Sequence, residues 1–252
     1  MANNQINHAN AISKVKIVVV GDSGVGKSSF VYLASHGEPL MKSPWTIGCS
    51  IEVKLHEFSE GTPSQKTYFI EFWDVGGNNS HKNARHVFLN PVHGIVLVHD
   101  LTNRKSQQNL HRWLSEVLLR EGGGPSSRTP IVDGFDAEQF GGFSQVYGLR
   151  KIPVFVAGTK LDQLSEYKSS GRLSISPIAR QCGADEIFVN CLDKKSLAPG
   201  SSNAVKLSRF FDKVIERQMC SSRGEPPGYS YMERENPTFR RKQSSSVYYM
   251  PS

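Results

Sequence analysis

The chain has 252 residues, of which 38% are hydrophobic and 22 are glycine, and its 30 basic and 23 acidic side chains leave a net charge of +7. That length suits one large domain or one domain with extensions, and the composition excludes collagen-like, coiled-coil and wholly disordered chains. The positive excess is spread thinly apart from Arg240-Arg241-Lys242, so a nucleic-acid partner is not expected.

Residues 1–13 read as an N-terminal extension without a secretory pattern or a myristoylation glycine. Val15 to Val20 is a short β-branched run, the pattern of a strand buried on both faces. A Gly-rich turn follows, then a helix from Ser28 to Ser35. Cys49, Ile51, Val53 and Leu55 alternate with polar residues, which predicts a half-buried strand. Gly61-Thr62-Pro63-Ser64 turns the chain back into a third strand, Tyr68 to Trp73. Further strands are expected at Ile95–Val98, Val154–Ala157 and Ile187–Val189. Leu110, Trp113, Leu114, Val117 and Leu118 recur at helical spacing, as do Ala204, Leu207, Phe211, Val214 and Ile215. Ser202 and Asn203 are suitable N-caps for the second of these helices. The alternation predicts an α/β fold: a six-stranded, mostly parallel sheet with helices on both faces.

Two stretches break the rhythm. Residues 121–150 hold Gly122-Gly123-Gly124-Pro125 and Gly141-Gly142 with interspersed aromatics, and read as an irregular insertion before the fifth strand. Residues 218–252 are rich in Ser, Pro, Gly and charge and read as a disordered tail, leaving 14–217 as the domain. The four cysteines form no C-x-x-C pair and are expected as reduced thiols in a cytoplasmic protein. No apolar run approaches the ~20 residues that cross a bilayer. The histidines, among them His81, His86, His93, His99 and His111, lack ligand spacing and read as surface or core residues.

Gly21-Asp22-Ser23-Gly24-Val25-Gly26-Lys27-Ser28 fits G-x-x-x-x-G-K-[ST] between a buried strand and a helix, where a phosphate-binding loop belongs. Backbone N–H groups along Ser23, Gly24, Val25, Gly26, Lys27, Ser28 and Ser29 would meet phosphate oxygens at a helix N-terminus. Lys27 would neutralise the β- and γ-phosphates, and Ser28 would offer its hydroxyl to Mg²⁺. Asp74, closing the third strand, is placed to hold that ion through a water, and Gly77 to bring its N–H near a γ-phosphate. Thr159-Lys160-Leu161-Asp162 follows the fifth strand. An ionised Asp162 would accept from guanine's two adjacent donors, which adenine lacks, while the stem of Lys160 lies across the ring.

These motifs, with Trp45-Thr46-Ile47-Gly48 and the run His93 to Asn103, resemble a Rab-type small GTPase of the Ras superfamily from about Lys14 to Arg217. The resemblance implies a Ras-like fold, Mg²⁺-dependent binding of GTP and GDP, and two switch segments that respond to the γ-phosphate. It makes Thr46 the threonine that closes on Mg²⁺ and the γ-phosphate, and puts Asn190-Cys191 at the last guanine contact. It also implies protein effectors, exchange and activating factors, and homodimers, which an exposed Trp45 and the aromatic insertion would support.

The chain departs from the pattern in three ways. Thr159 replaces the usual Asn, and losing one hydrogen bond costs about 0.5–1.5 kcal/mol. Asn78 replaces the Gln that orients the attacking water, and a side chain one methylene shorter misplaces its amide, which can cost ~10²-fold. The last residues carry no cysteine for prenylation, so no direct lipid anchor is expected and membranes would be reached through a partner. The sequence thus predicts a GTP-binding switch, a weak GTPase, that recruits partners in signalling or intracellular transport. The competing prediction is a non-hydrolysing adaptor in which GTP stabilises the fold or a homodimer.

Overall fold

The computed structural model describes residues 13–42, 44–78, 80, 82–121, 152–164 and 173–222. The N-terminal extension before Ser13, the insertion beyond Glu121 and the tail beyond Ser222 lie outside the described residues. Six strands, β1 (Ser13–Val20), β2 (Cys49–Phe58), β3 (Lys66–Val75), β4 (Gly94–Asp100), β5 (Val154–Thr159) and β6 (Asp185–Phe188), form one sheet. Its order is β2-β3-β1-β4-β5-β6, and every neighbouring pair is parallel except β2 with β3. The helices are α1 (Lys27–His36), α2 (Arg104–Gln108), α3 (Leu110–Glu121), α4 (Pro177–Cys182) and α5 (Ser202–Ser222).

The period-two rule divides β1 between two cores. Val15, Ile17 and Val19 pack with Phe30 and Val31 of α1 and with Phe210, Phe211 and Val214 of α5. Val18 and Val20 face the other way, onto Leu110, Trp113 and Leu114 of α3 and Ile178 of α4. A strand covered on both faces reads as a continuous apolar run, as β1 does. Deleting an aromatic such as Phe210 from such a core costs about 3–5 kcal/mol.

Strand β2 runs as expected, but its apolar alternation faces outward. Ile51, Val53 and Leu55 are exposed, the last at 60%. Their polar neighbours are partly covered instead: Glu52 accepts from His36 Nε2 of α1 at 2.9 Å, and His56 pairs with Asp212 of α5 at 2.8 Å. The cause is position, because β2 is an edge strand and α1 and α5 cover one of its two faces.

Helix α5 starts at Ser202, so its cap is Ser201, whose Oγ accepts from Ala204 N at 3.2 Å. Asn203 donates instead to the carbonyls of Phe188 and Ser196, both at 3.1 Å. The helix continues past Arg217 to Ser222, and β6 ends at Phe188, one residue before the expected Val189. Two short helices, α2 and α4, are additions to the sequence reading. Ser176 caps α4 ahead of a proline at its first position.

Candidate nucleotide-binding site

The site lies at the carboxyl ends of β1, β3 and β5. Between Val20 and Lys27 the chain makes a tight loop, and Gly26, at φ 90°, supplies the left-handed turn into α1. Lys27 is 6% exposed, and its Nζ donates to the carbonyls of Gly21 (3.0 Å) and Asp22 (2.9 Å). Burial pulls its pKa below the usual lysine value, while the charges of Asp74 and Asp22 push it back. A cation held this way, with only carbonyl dipoles as partners, is poised for an anion.

Ser28, Thr46 and Asp74 meet beside it. Ser28 Oγ donates to Asp74 Oδ2 at 2.5 Å, Thr46 Oγ1 donates to the same oxygen at 3.2 Å, and the two hydroxyls are 3.0 Å apart. The other carboxylate oxygen, Asp74 Oδ1, is buried with no hydrogen-bond partner among the described residues. Burial raises the Asp74 pKa, opposed by the hydrogen bond from Ser28 and the charge of Lys27. Two hydroxyls around a buried carboxylate with a spare oxygen suit a hard divalent cation.

Glycines let β3's continuation touch this loop directly. A Cβ on Gly77 would come within 2.6 Å of backbone atoms of Gly21, Asp22 and Ser23, so no larger residue fits without displacing the loop. Gly76 N donates to Gly48 O at 2.9 Å, joining the Thr46 segment to β3. Asn78 follows, and its Oδ1 accepts from Ser80 N at 3.0 Å.

These residues surround a cavity of about 720 Å³. Of the expected site residues, Ser23, Gly24, Gly26, Lys27, Ser28, Thr46, Gly77 and Asn78 line it. Asp74 sits beneath, Val25 is buried in the loop, and Ser29 is half-buried in the first turn of α1. Four residues that no sequence motif singled out, Pro44, Lys105, Asn109 and Arg112, complete the wall. Asn109 is held by Asp22, which accepts from Asn109 Nδ2 at 2.7 Å and from Trp113 Nε1 at 2.8 Å. The sequence signal was the polar Asn-x-x-Arg beside an apolar helix stripe, which by itself reads as a solvated face.

The base-binding candidates form a second cluster outside that cavity. Thr159 is 1% exposed, and its Oγ1 donates to Val25 O at 2.5 Å while lying 3.0 Å from His99 O. Lys160 adopts φ 58°, a left-handed conformation unusual for a lysine, and its Nζ pairs with Asp100 Oδ2 at 2.7 Å. Burial works against the Asp100 carboxylate, yet hydrogen bonds from Lys160 and Thr102 outweigh it and hold its pKa low. Leu161 N donates to Val189 O at 3.2 Å, tying this loop to the one after β6. There Asn190 spends its side chain on its own turn, with Oδ1 accepting from Leu192 N at 2.9 Å. Cys191 is buried, and burial with the nearby Asp162 charge pushes its thiol up to about 12. Asp162 itself is exposed, a carboxylate open to a ligand.

No group of three or more His, Cys, Asp or Glu side chains suited to a metal occurs among the described residues. His99, expected in a bland role, is buried against Glu186 at 3.0 Å. No helix among the described residues is long and apolar enough to cross a membrane.

The family model described as "Ras of Complex, Roc, domain of DAPkinase" matches residues 16–129. Rab-like protein 3 of Xenopus tropicalis is 48% identical over 229 residues, covering 89% of this chain and 94% of that protein. The Homo sapiens Rab-like protein 3 is 46% identical over 230 residues, with the same coverage of 89% and 94%. The Small GTPase LIP1 of Arabidopsis thaliana is 39% identical over 209 residues, or 79% of this chain and 54% of that protein. With the six-stranded sheet, the loop after β1 and this likeness along nearly the whole chain, the protein belongs to the Rab-like protein 3 family of Ras-superfamily small GTPases.

Proposed function

We propose that this protein is a GTP-regulated switch that binds GTP and GDP with Mg²⁺, hydrolyses GTP slowly, and recruits protein partners in the GTP form. The observation that carries the proposal is the Lys27, Ser28, Thr46 and Asp74 cluster, with its buried carboxylate oxygen that has no hydrogen-bond partner among the described residues, beside the cavity of about 720 Å³. Ser28 and Thr46 would be the direct oxygen ligands of the ion, and Asp74 would orient them or reach it through a water. A bound magnesium ion supplies positive charge to the β- and γ-phosphate oxygens.

The chain's own residues would act by position and charge. Lys27 exchanges its carbonyl partners for phosphate oxygens, and backbone N–H groups from Ser23 to Ser29, with that of Gly77, stabilise charge as water attacks the γ-phosphate. Guanine is selected by Asp162 and covered by the stem of Lys160, with the Asn190-Cys191 backbone as the further contact. Thr159 would serve the base indirectly, by fastening this loop to Val25 of the phosphate loop.

Asn78 supports slow chemistry. Its amide oxygen is engaged by Ser80 N, and its side chain is one methylene shorter than glutamine. The same observation favours a second reading, an adaptor whose bound GTP is kept intact and supports a homodimer or a partner complex. The exposed Trp45 and Ile47, at 80% and 81%, are compatible with either kind of protein contact.

The test is to load purified protein with GTP and Mg²⁺ and follow the GTP:GDP ratio by chromatography over a day at 25 °C, beside Asn78→Gln. A switch converts GTP on the order of 10⁻⁴ s⁻¹ or slower, and Asn78→Gln accelerates it by up to ~10²-fold. Equal rates would remove Asn78 as the cause, and persistent GTP in both proteins would favour the adaptor. ATP outcompeting GTP would sink the guanine assignment altogether.

A further inference from the structure

Part of the cavity wall belongs to no nucleotide motif: Lys105 from α2, with Asn109 and Arg112 at the start of α3. Asn109 and Trp113 stand one turn apart, and their two hydrogen bonds to Asp22 clamp α3 to the first residues of the phosphate loop. The same stretch of loop is where the Gly77 backbone packs, at Gly21, Asp22 and Ser23. The clamp therefore holds the start of α3, with Arg112, on a cavity wall that also includes Gly77 and Asn78, while Thr159, Lys160 and Asp162 do not line it.

Charge at this end is unbalanced. Among the described residues that line the cavity, Asp22 is the one carboxylate, and both its oxygens are already occupied. Among the described residues, neither Lys105 nor Arg112 has a carboxylate within ion-pair distance. Arg112 instead lies 5.9 Å from the Trp113 ring, whose indole also carries the buried Arg85 guanidinium at 4.5 Å. Arg85 has the Glu116 carboxylate at 3.7 Å, which leaves Arg112 as the guanidinium of the two without an acidic partner among the described residues. A planar guanidinium fork matches phosphate oxygens in pairs, which an ammonium does not.

We infer that Arg112, assisted by Lys105, forms a second cationic wall that contacts the terminal phosphate of a nucleoside triphosphate, so that α2 and α3 help distinguish GTP from GDP. The inference rests on the guanine-nucleotide reading above. It adds a discriminating contact outside the phosphate loop and both switch segments.

The test measures dissociation constants of a fluorescent GDP and a fluorescent non-hydrolysable GTP analogue for the full chain in excess Mg²⁺. Arg112→Gln is expected to weaken the triphosphate by about tenfold relative to the diphosphate, the effect of one charge-assisted hydrogen bond. Lys105→Gln has a smaller effect, and Arg112→Lys recovers part of the loss because it keeps the charge without the fork. Added salt narrows the wild-type preference for triphosphate more than that of the double variant. Wild-type protein that binds neither nucleotide would remove the guanine reading and this inference together. Wild-type binding of both, with Arg112→Gln and the double variant changing the two nucleotides equally or not at all, would overturn this inference alone.

Discussion

The phosphate end and the base end of the groove are assembled from different materials. Between the phosphate loop and the segment after β3, main chain rests on main chain: Gly77 has no room for a Cβ against the loop at Gly21–Ser23, and Gly76 N bonds Gly48 O at 2.9 Å. At the base end, side chains hold the loops. Thr159 reaches Val25, Lys160 reaches Asp100, and Asn190 folds onto its own turn. Backbone packing admits few substitutions, whereas a side-chain tether can be kept by any residue that delivers the same donor. Glycine accordingly stands at 76 and 77, where backbone meets backbone, while Thr stands in the place of Asn at 159.

The sharpest way to break the phosphate end is Lys27→Ala. It removes a buried cation and leaves the carbonyls of Gly21 and Asp22 without their donor. Affinity for GDP and GTP should fall by about 100-fold or more, read by titration of a fluorescent nucleotide. A fall of less than fivefold would mean that the backbone amides suffice.

Thr159 probes the base end on a smaller scale. Thr159→Ala cuts the side-chain hydrogen bond from β5 to the phosphate loop, and should weaken guanine nucleotides by about fivefold. Thr159→Asn, which restores the longer amide, should tighten them by up to about tenfold. If both variants bind like wild type, the Val25 bond is packing without consequence for the ligand.

The mildest effect concerns the apoprotein. Burial raises the Asp74 pKa in the folded state above its unfolded value, so the associated stability is fully present below the ordinary carboxylate pKa and is lost as pH rises through the folded one. Asp74→Asn should flatten that fall and raise the apo Tm at neutral pH by about 2–4 °C, the equivalent of about 1 kcal/mol in a domain of this size. The same variant should lose the Tm increase that Mg²⁺ with GDP gives to the wild type. Calorimetry with and without ligand separates the two results.

Much of this arrangement was legible in the chain because it is local. The loop between β1 and α1 is a contiguous motif, and β-branched runs such as Val15 to Val20 have few alternatives to a buried strand. What was illegible depends on partners far away. The alternation of β2 specifies two faces without saying which one α1 and α5 will cover, and Ile51, Val53 and Leu55 face solvent. Asp22 and its donors Asn109 and Trp113 are about ninety positions apart, and no spacing rule links them. Helix α4 did carry a signal, Ser176 followed by Pro177, but six residues are too few for a helical period to emerge.

The three tryptophans give the molecule its own optical markers. Trp45 stands 80% exposed beside Thr46, Trp73 lies under the Lys16 ammonium at 3.7 Å, and Trp113 donates its indole N–H to Asp22. Each samples a different environment: water, a neighbouring cation, and a hydrogen-bonded carboxylate. Closure of the Thr46 segment on a ligand would shield Trp45 and shift its emission to the blue, while a disturbance of the phosphate loop would register at Trp113. Single-tryptophan variants could therefore time the two events separately, without attaching any dye.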